Sequence, residues 1–232
     1  MFGLPTSLQQ SDDTELKEIM KETIMFQNGT TASQMAKSGV HGNMNYGVSV
    51  TDIQRISAKY GKNHQLAQRL CRLNIREAKL LASRLFVASM LTDSDLQNIF
   101  DSIANIDLAE NLARNIICEI DDIKFIEQLA NGNVWQTVSA ILAIDWAIIK
   151  KMPHSNRLAT WFIEHLQNLA EKELPETRRP ILIAMEDFAK LPNGYGPRIA
   201  DCAKRMASSS SDFCKEICER HLWMLDTDNN SI

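Results

Sequence analysis

The sequence contains little glycine and proline, with nine and six among 232 residues. It also lacks any sustained alternation of apolar and polar residues, which is the pattern of a half-buried strand. Apolar residues recur instead at helical spacings of three and four through most of the chain. These features exclude collagen-like repeats and intrinsic disorder. They predict an all-α protein.

Long apolar runs are missing as well. The longest mainly apolar stretch, residues 135–149, is interrupted by polar residues and is shorter than the roughly 20 residues that span a bilayer. The chain starts without a basic segment followed by an apolar run, and its five cysteines are scattered and odd in number. We therefore expect no membrane contact, no secretory signal and a cytoplasmic location.

Neither sign of charge dominates, because 25 Lys and Arg face 29 Asp and Glu for a net charge of −4. Such a balance is a poor overall match for phosphate neutralisation. Residues 55–84 nevertheless hold eight basic residues and one acidic residue, a net of +7. We name these eight the basic run: Arg55, Lys59, Lys62, Arg69, Arg72, Arg76, Lys79 and Arg84. The basic run is either a face that follows phosphates or an ordinary solvated surface.

The next stretch, residues 101–127, carries seven acidic and two basic residues, a net of −5. It would repel DNA if it shared a groove with the basic run.

Start and stop signals divide the chain into short helices arranged in pairs. Asn74 with Glu77, and Thr92 with Asp95, have the spacing of N-caps with an acidic first turn. We predict helices over residues 12–26, 31–37, 50–60, 63–72, 75–90, 93–102, 108–118, 121–130, 134–151, 156–174, 177–191, 197–207 and 212–225. From about His64 onward the pairs recur every 35 to 45 residues or so, as in HEAT or armadillo repeats.

This period predicts a HEAT/armadillo-like α-α superhelix, a curved solenoid of antiparallel helix pairs. We expect one domain over residues 1–226 and a polar tail over 227–232. Two stripes are expected to face the core: Ala78, Leu81, Leu85 and Ala88, and Trp135, Ser139, Leu142, Trp146 and Ile149.

Two motifs in the first part of the chain point to a known family. Asn45-Tyr46-Gly47-Val48 and Arg76-Glu77-Ala78-Lys79, with the residues spaced between them, resemble the DNA alkylation repair family of AlkD-like, HEAT-like proteins. The intervening and following matches are Ile53, Arg55, Ile56, Ala58, His64, Ala67, Leu70, Leu81 and Ala82. The resemblance is strongest over residues 35–85 and continues as helix-by-helix similarity.

The resemblance implies a solenoid whose concave, basic groove holds duplex DNA. Active members excise cationic alkylpurines such as 3-methyladenine and 7-methylguanine without a metal or cofactor. An ionised carboxylate stabilises the developing charge on the sugar, aromatic faces attract the cationic lesion, and arginine holds the phosphate. We accordingly expect no cofactor and no metal.

The family's site residues are only partly matched. Its acidic Trp-Asp motif falls on residues 106–110, where the aromatic residue is replaced and Glu110 and Asp107 are the catalytic candidates. Its Trp-x-Arg-Arg motif falls on residues 135–138, which keeps Trp135 as a lesion-flanking candidate but lacks both arginines. A later helix matches at Arg178 and Arg179, with Ile183 in place of a Trp. Excision is therefore expected to be weak or lost.

The phosphate-binding candidates are Arg76, Lys79, Arg178 and Arg179, and the expected partner is double-stranded DNA, alkylated or distorted. The alternative is a non-catalytic helical-repeat scaffold that binds a protein or peptide, which the acidic net charge and the missing arginines favour.

For two further patterns we prefer a structural role over a functional one. Cys214, Cys218 and His221 share one helix face and could ligate zinc with Cys202, but buried cysteines are common between helices. His64 is expected at a helix start or in the core.

Overall fold

In a computed structural model of the chain, the described residues are 3–5, 8, 12–41, 44–191 and 195–229, with side chains described as far as residue 220. The prediction of an all-α fold is confirmed. Within those ranges the β-type pairing is limited to an isolated bridge between Met44 and Ile75. The chain divides into two compact units, Met1–Ile120 and Asp121–Ile232, and no described helix is long and apolar enough to cross a membrane.

The first unit contains seven helices with defined bounds: α1 Thr14–Met25, α2 Gly29–Lys37, α3 Val50–Tyr60, α4 His64–Cys71, α5 Arg76–Leu85, α6 Asp93–Ser102 and α7 Ile106–Asn115. Helix α5 is the centre of the unit, because it packs against α3, α4 and α7. Short 3-10 turns at Ala88–Met90 and Ile117–Glu119 follow α5 and α7.

The described part of the second unit contains six helices: α8 Ile123–Ala130, α9 Val134–Ile149, α10 Ser155–Glu171, α11 Pro175–Ala189, α12 Tyr195–Met206 and α13 Asp212–Asn229. Helix α9 is its centre and packs against α8, α10 and α11. Every predicted helix has a counterpart. Helix α13 continues to Asn229, three residues into the predicted tail, and residues 230–232 lie outside the described part.

Short polar side chains begin most of these helices. The residue before the first turn accepts a hydrogen bond from a backbone N–H two or three positions later in eight of them, at Asp13, Asn28, Ser49, Asn63, Thr92, Asn105, Asp122 and Asn133. These contacts satisfy donors that the helix itself leaves unpaired. The predicted cap of Thr92 and Asp95 is confirmed as a reciprocal capping box.

The predicted cap at Asn74 is wrong. Helix α5 starts after Ile75 without a side-chain cap. The Asn74 carbonyl instead accepts a hydrogen bond from the Met44 N–H at 3.0 Å, and the Met44 carbonyl accepts one from the Arg76 N–H at 2.8 Å. A β-type contact with a distant segment therefore replaces the local cap. Helix α5 also ends earlier than predicted, at Leu85 rather than Met90, because the chain becomes extended at Phe86.

The first predicted core stripe is correct within α5 but not at Ala88, which is half-buried in the 3-10 turn that follows, and the second stripe is wrong. Ala78, Leu81 and Leu85 are fully buried. On α9, by contrast, Trp135, Leu142 and Trp146 are half-buried and Ile149 is 49% exposed, although Ser139 on the same stripe is fully buried. Helix α9 is apolar nearly all round, so its spacing does not reveal which side is covered. The aromatic stripe lies on its least covered side.

Residues 44–48 pass closely over the start of α2, and Gly47 makes this approach possible. Its φ is +72°, and a Cβ at this position would lie 2.1 Å from the Asn28 carbonyl oxygen and 2.7 Å from the Ala32 nitrogen. Both neighbours are backbone atoms that bond to each other at the start of α2. They cannot move aside without disrupting that helix.

Replacing Gly47 with Ala is expected to lower the free energy of unfolding by at least about 2 kcal/mol, since backbone strain and a backbone clash act together. Urea unfolding followed by circular dichroism measures the change. Gly39→Ala is the matched control, because Gly39 also has positive φ, +90°, but open space around it. An equal loss in both variants would mean that the close approach contributes nothing.

Candidate functional site

The strongest polar cluster in the first unit surrounds Arg76 and Glu77 at the start of α5. Both side chains are fully buried. The Arg76 guanidinium donates from Nε to Asp107 Oδ2 at 2.6 Å and from Nη1 to Glu77 Oε1 at 2.9 Å. It also donates to the Val48 carbonyl at 3.0 Å. We call Arg76, Glu77, Asp107 and the backbone of residues 46–48 the Arg76 network.

Glu77 completes this network from the other side. Its carboxylate accepts hydrogen bonds from the Tyr46 N–H at 3.1 Å and the Val48 N–H at 3.2 Å. Two buried backbone donors that belong to no helix or sheet are thereby satisfied. The two family motifs, 45–48 and 76–79, therefore meet in space.

The carboxylates of the Arg76 network stabilise the charged form of the Arg76 guanidinium. Burial alone would lower the pKa of Arg76, but the carboxylates of Asp107 and Glu77 outweigh burial and raise it. Asp107 is only partly buried, yet its Oδ2 is bound to this permanent cation. A carboxylate that already neutralises a buried guanidinium is a poor stabiliser for a second positive charge.

Lys79 is also placed inside the unit rather than on its surface. Its ammonium donates to Ser102 Oγ at 2.9 Å and to the Cys71 carbonyl at 3.2 Å, and burial lowers its pKa. Burial leaves Arg76 and Lys79 almost no surface with which to contact a phosphate. Their placement argues against the phosphate contacts predicted for Arg76 and Lys79, because both cations are bonded to polar groups in the interior.

The exposed part of the basic run is largely paired with acids of the same unit. Arg55 lies 2.8 Å from Asp52, and Lys62 lies 3.7 Å from Glu119. The remaining pairs follow the same pattern: Lys59 with Glu22, and Arg69 with Asp13 and Glu15. The net of +7 in the sequence therefore does not become a surface of that charge, since acids from elsewhere in the unit lie beside it.

Besides the buried Lys79, two members of the basic run, Arg72 and Arg84, lack an acidic partner among the described residues. Arg72 is exposed just after α4. Arg84 is half-buried and donates to two neutral groups, Ser57 Oγ at 3.0 Å and Asn115 Oδ1 at 3.3 Å. Burial lowers the pKa of Arg84, and the nearby Arg114 lowers it further. Arg84 therefore lies close to a second cation, Arg114.

The other carboxylate candidate, Glu110, lies on the exposed side of α7, one turn after Asp107. It lies outside the set of residues bonded to Arg76. The structure thus separates the two candidates: Asp107 belongs to the buried network, and Glu110 lies at the surface.

In the second unit, Trp135 lies in the first turn of α9 and is half-buried. Thr137 and Val138, at the positions of the family's two arginines, are fully buried. The Thr137 hydroxyl donates to the carbonyls of Ala130 and Asn133, both at 3.1 Å. These two positions are part of the core, so a charged side chain would not fit there without rearrangement.

Arg178 and Arg179 lie in the second turn of α11 with different surroundings. Arg178 is half-buried, lies 4.9 Å over the Phe213 ring and pairs with Glu216 at 3.4 Å. Arg179 is exposed and has no ion pair within the described ranges. Ile183, one turn later, is half-buried. Of the four predicted phosphate contacts, Arg179 is the cation most open to a ligand.

The described residues include no group of three or more His, Cys, Asp or Glu that could hold a metal. Cys202, Cys214 and Cys218 are buried free thiols, and the side chain of His221 lies outside the described part. His64 is the first residue of α4, is buried and lies 3.4 Å from Asp95, which confirms its predicted place at a helix start.

Asp145 is a titratable group that the sequence analysis missed as such. It is only 5% exposed in α9, and its Oδ1 has no hydrogen-bond partner among the described residues. Burial and the nearby Asp187 raise its pKa to about 6, and Lys190 acts in the opposite direction. Asp145 is the only charged residue of α9, and this was the signal that could have marked it.

Sequence comparison agrees with the motifs. The model of the family described as DNA alkylation repair enzyme matches residues 19–185. This match covers more than half of the chain, and the protein belongs to that family. None of the curated proteins compared with the chain is a significant match.

Structural comparison agrees with the predicted repeats. The chain is similar to a solved structure described as "a new family of proteins related to the HEAT-like repeat DNA glycosylases with affinity for branched DNA structures". The TM-score is 0.67, the sequences are 16% identical, and the match covers 92% of this chain and 94% of that chain. The predicted HEAT-like fold is confirmed; identity this low supports the fold alone.

Replacing Arg76 with Met is expected to lower the free energy of unfolding by about 3 to 5 kcal/mol, because Glu77 and Asp107 would remain as uncompensated charges. Chemical denaturation measures the loss. Arg55→Met removes an exposed pair from the same unit and should cost less than about 1 kcal/mol. Similar losses in the two variants would contradict the structural role of the Arg76 network.

Asp145 is expected to make stability depend on pH. Its pKa is higher in the fold than the ordinary value of 3.8, so the folded state binds more protons between pH 4 and 6 or so. The free energy of unfolding should therefore fall as pH rises through this range, by up to roughly 3 kcal/mol.

Asp145→Asn should remove this slope and raise stability at pH 7, as measured by urea unfolding at several pH values. Asp201→Asn, on the exposed face of α12, is the control. A slope that survives in Asp145→Asn would assign the dependence to another group.

Proposed function

We propose that the protein binds alkylated, branched or otherwise distorted double-stranded DNA and excises alkylpurines weakly or not at all. Two observations support DNA as the ligand. The chain belongs to the DNA alkylation repair family, and its fold is similar to that of a protein described as having affinity for branched DNA. Sequence-independent attraction to phosphate requires only cations that are free to approach the backbone.

The ion pair between Asp107 and Arg76 is the observation that carries the weak-excision part of the proposal. Excision of a cationic base needs a carboxylate directed at the sugar, where positive charge develops. Asp107 is directed at a guanidinium 2.6 Å away instead. Glu110 is the remaining candidate, and the arginines that would accompany it are replaced by the buried Thr137 and Val138.

The proposed DNA contacts are the cations that the fold leaves accessible. Arg179 contacts a phosphate, and Arg178 assists from its place above Phe213. The open side of α9, with Trp135 and Trp146 half-buried, supplies an aromatic surface of the kind on which exposed bases stack. Trp135 flanks the distorted site in this proposal.

A helical-repeat scaffold for a protein partner is the second candidate. It is favoured by the pairing of the basic run with acids, which leaves the first unit with few free cations. The apolar stripe on α9 would then contact a protein side chain rather than a base.

The first experiment measures anisotropy of fluorescein-labelled duplex, methylated duplex and four-way junction at several salt concentrations. We expect binding that weakens log-linearly with salt and is tightest for the distorted substrates. Arg179→Gln should weaken binding to all three and lower the salt slope by about one phosphate contact. Lys124→Gln, an exposed cation on α8, is the matched control.

Base release from methylated duplex is measured with the same preparations. Release should be slow, and Glu110→Gln should abolish whatever release occurs, because no other accessible carboxylate is proposed for the sugar. Absence of binding at low salt would overturn the DNA proposal in favour of the scaffold. Rapid release that Glu110→Gln leaves unchanged would contradict the proposed chemistry.

A further inference from the structure

Two residues of the second unit have a backbone conformation that favours glycine. In the described part of the chain, the residues other than glycine with positive φ are Lys151 and Glu173, at 55° and 50°. They occupy equivalent places, since each is the first residue after a C-cap, that of α9 for Lys151 and that of α10 for Glu173. Glycine or asparagine is usual here, because a Cβ is crowded in the left-handed region. Both side chains are therefore held at a cost in strain.

The backbone around Lys151 closes helix α9 by a regular motif. The Lys151 N–H donates to the Ile148 carbonyl at 2.9 Å, and the Met152 N–H donates to the Ala147 carbonyl at 2.8 Å. These two bonds satisfy carbonyls that the end of the helix would leave unpaired. The motif requires the left-handed conformation but not a lysine side chain. Glycine would form the same bonds with less strain.

A contact inside the protein explains Glu173 but not Lys151. Glu173 Oε1 accepts a hydrogen bond from the Asp212 N–H at 3.1 Å and so pairs a donor at the start of α13. Lys151 is exposed, and its ammonium has no hydrogen bond or ion pair within the described ranges. A strained position that serves no internal contact points to a role in binding.

The aromatic stripe of α9 ends next to this lysine. Its last member, Ile149, is 49% exposed and lies two residues before Lys151. Trp135 and Trp146 are half-buried and eleven residues apart, which is about 16 Å along the helix axis. Asp145 is the only charged residue of α9, and it is 5% exposed. The open side of α9 therefore presents aromatic and apolar surface without a carboxylate that would repel a phosphate.

Acids of the neighbouring helix are already paired. Helix α11 packs against α9, and its last turn contains Glu186 and Asp187. Glu186 lies 3.1 Å from Arg220, and Asp187 lies 3.2 Å from Lys190. The charge of Lys151 is thus left for a ligand.

We propose that Lys151 holds a backbone phosphate of an unpaired DNA strand whose bases stack on the aromatic stripe of α9, an inference that rests on the proposed binding of distorted DNA. Bases in an intact duplex are covered by their neighbours, so side chains stack on bases that are unpaired or splayed apart. Aromatic faces combined with a cation for the phosphate are the usual means of holding a single strand. Lysine is retained at a strained position because its charge is needed there.

Three variants of Lys151 separate its charge from its strain. Lys151→Gly removes both, so the equilibrium constant for unfolding should fall about fivefold while binding to a gapped duplex weakens. The slope of log affinity against log salt should become shallower by about 0.7, the value for one contact to a single strand. Lys151→Gln should weaken binding equally without the gain in stability, and Lys151→Arg should keep the slope. Urea unfolding and fluorescence anisotropy of the full chain measure these quantities.

Glu173→Gly is the matched control, because Glu173 has the same backbone conformation at the same place after a helix. This variant also relieves strain, but it loses the bond to the Asp212 N–H. Its gain in stability should be smaller than that of Lys151→Gly. The salt slope of binding should stay at the wild-type value.

Trp146→Leu tests the stacking half of the inference. Leucine keeps an apolar side chain on the stripe but removes the aromatic face. Affinity for the gapped duplex should fall about fivefold or more, since stacking contributes on this scale, and the salt slope should not change. Affinity for an intact duplex of the same length should fall less.

The outcomes distinguish this inference from the proposed function. If Lys151→Gly binds the gapped duplex with wild-type affinity and salt slope, the inference is wrong even where wild-type protein binds DNA. Equal losses on gapped and intact duplex would overturn the assignment to an unpaired strand. If wild-type protein binds neither at low salt, the proposed function fails and the inference fails with it, which leaves an acidic protein partner for Lys151.

Discussion

The first unit depends on a buried guanidinium that has to be neutralised. Arg76 is fully buried, and the cost of removing its charge from water is offset only because Asp107, Glu77 and the Val48 carbonyl surround it. The same carboxylate of Glu77 holds residues 46–48 against α5 through two backbone N–H groups. One set of hydrogen bonds thus neutralises the buried charge and fixes residues 46–48 against α5. Gly47 permits the close backbone approach that this arrangement requires.

This constraint explains why charge in the sequence is a poor guide to charge at the surface. Lys79 and Arg76 contribute two of the positive charges counted in residues 55–84, yet both side chains are buried inside the unit. Lys59 and Lys62 find their acidic partners 37 and 57 positions away in the chain, at Glu22 and Glu119. A charge count over a short segment of sequence includes the basic partner of such a pair but not the acidic one. The number of cations open to phosphate is therefore a property of the tertiary structure.

Helices were predictable because their signals are local. Thr92 and Asp95 form their capping box within one turn, and the few glycines and prolines leave the helices uninterrupted. Asn74 failed as a cap because Met44, 30 positions earlier, took its place through a backbone bridge. The stripe on α9 failed for a related reason: when a helix is apolar on almost every side, the neighbours decide which side stays open. Trp135 and Trp146 lie on that open side, where sequence alone would bury them.

The candidate site residues match family positions but differ in their surroundings. The family match identified Asp107, Glu110, Trp135 and Arg179 as positions, and the structure gives each a distinct environment. Asp107 contributes to stability by pairing with Arg76 and cannot also be a free carboxylate for a sugar cation. Thr137 and Val138 fill the core where arginines would need solvent or phosphate. Among the family-matched positions, Glu110, Trp135 and Arg179 keep access to solvent, whereas Asp107 is held by a buried guanidinium that needs its charge.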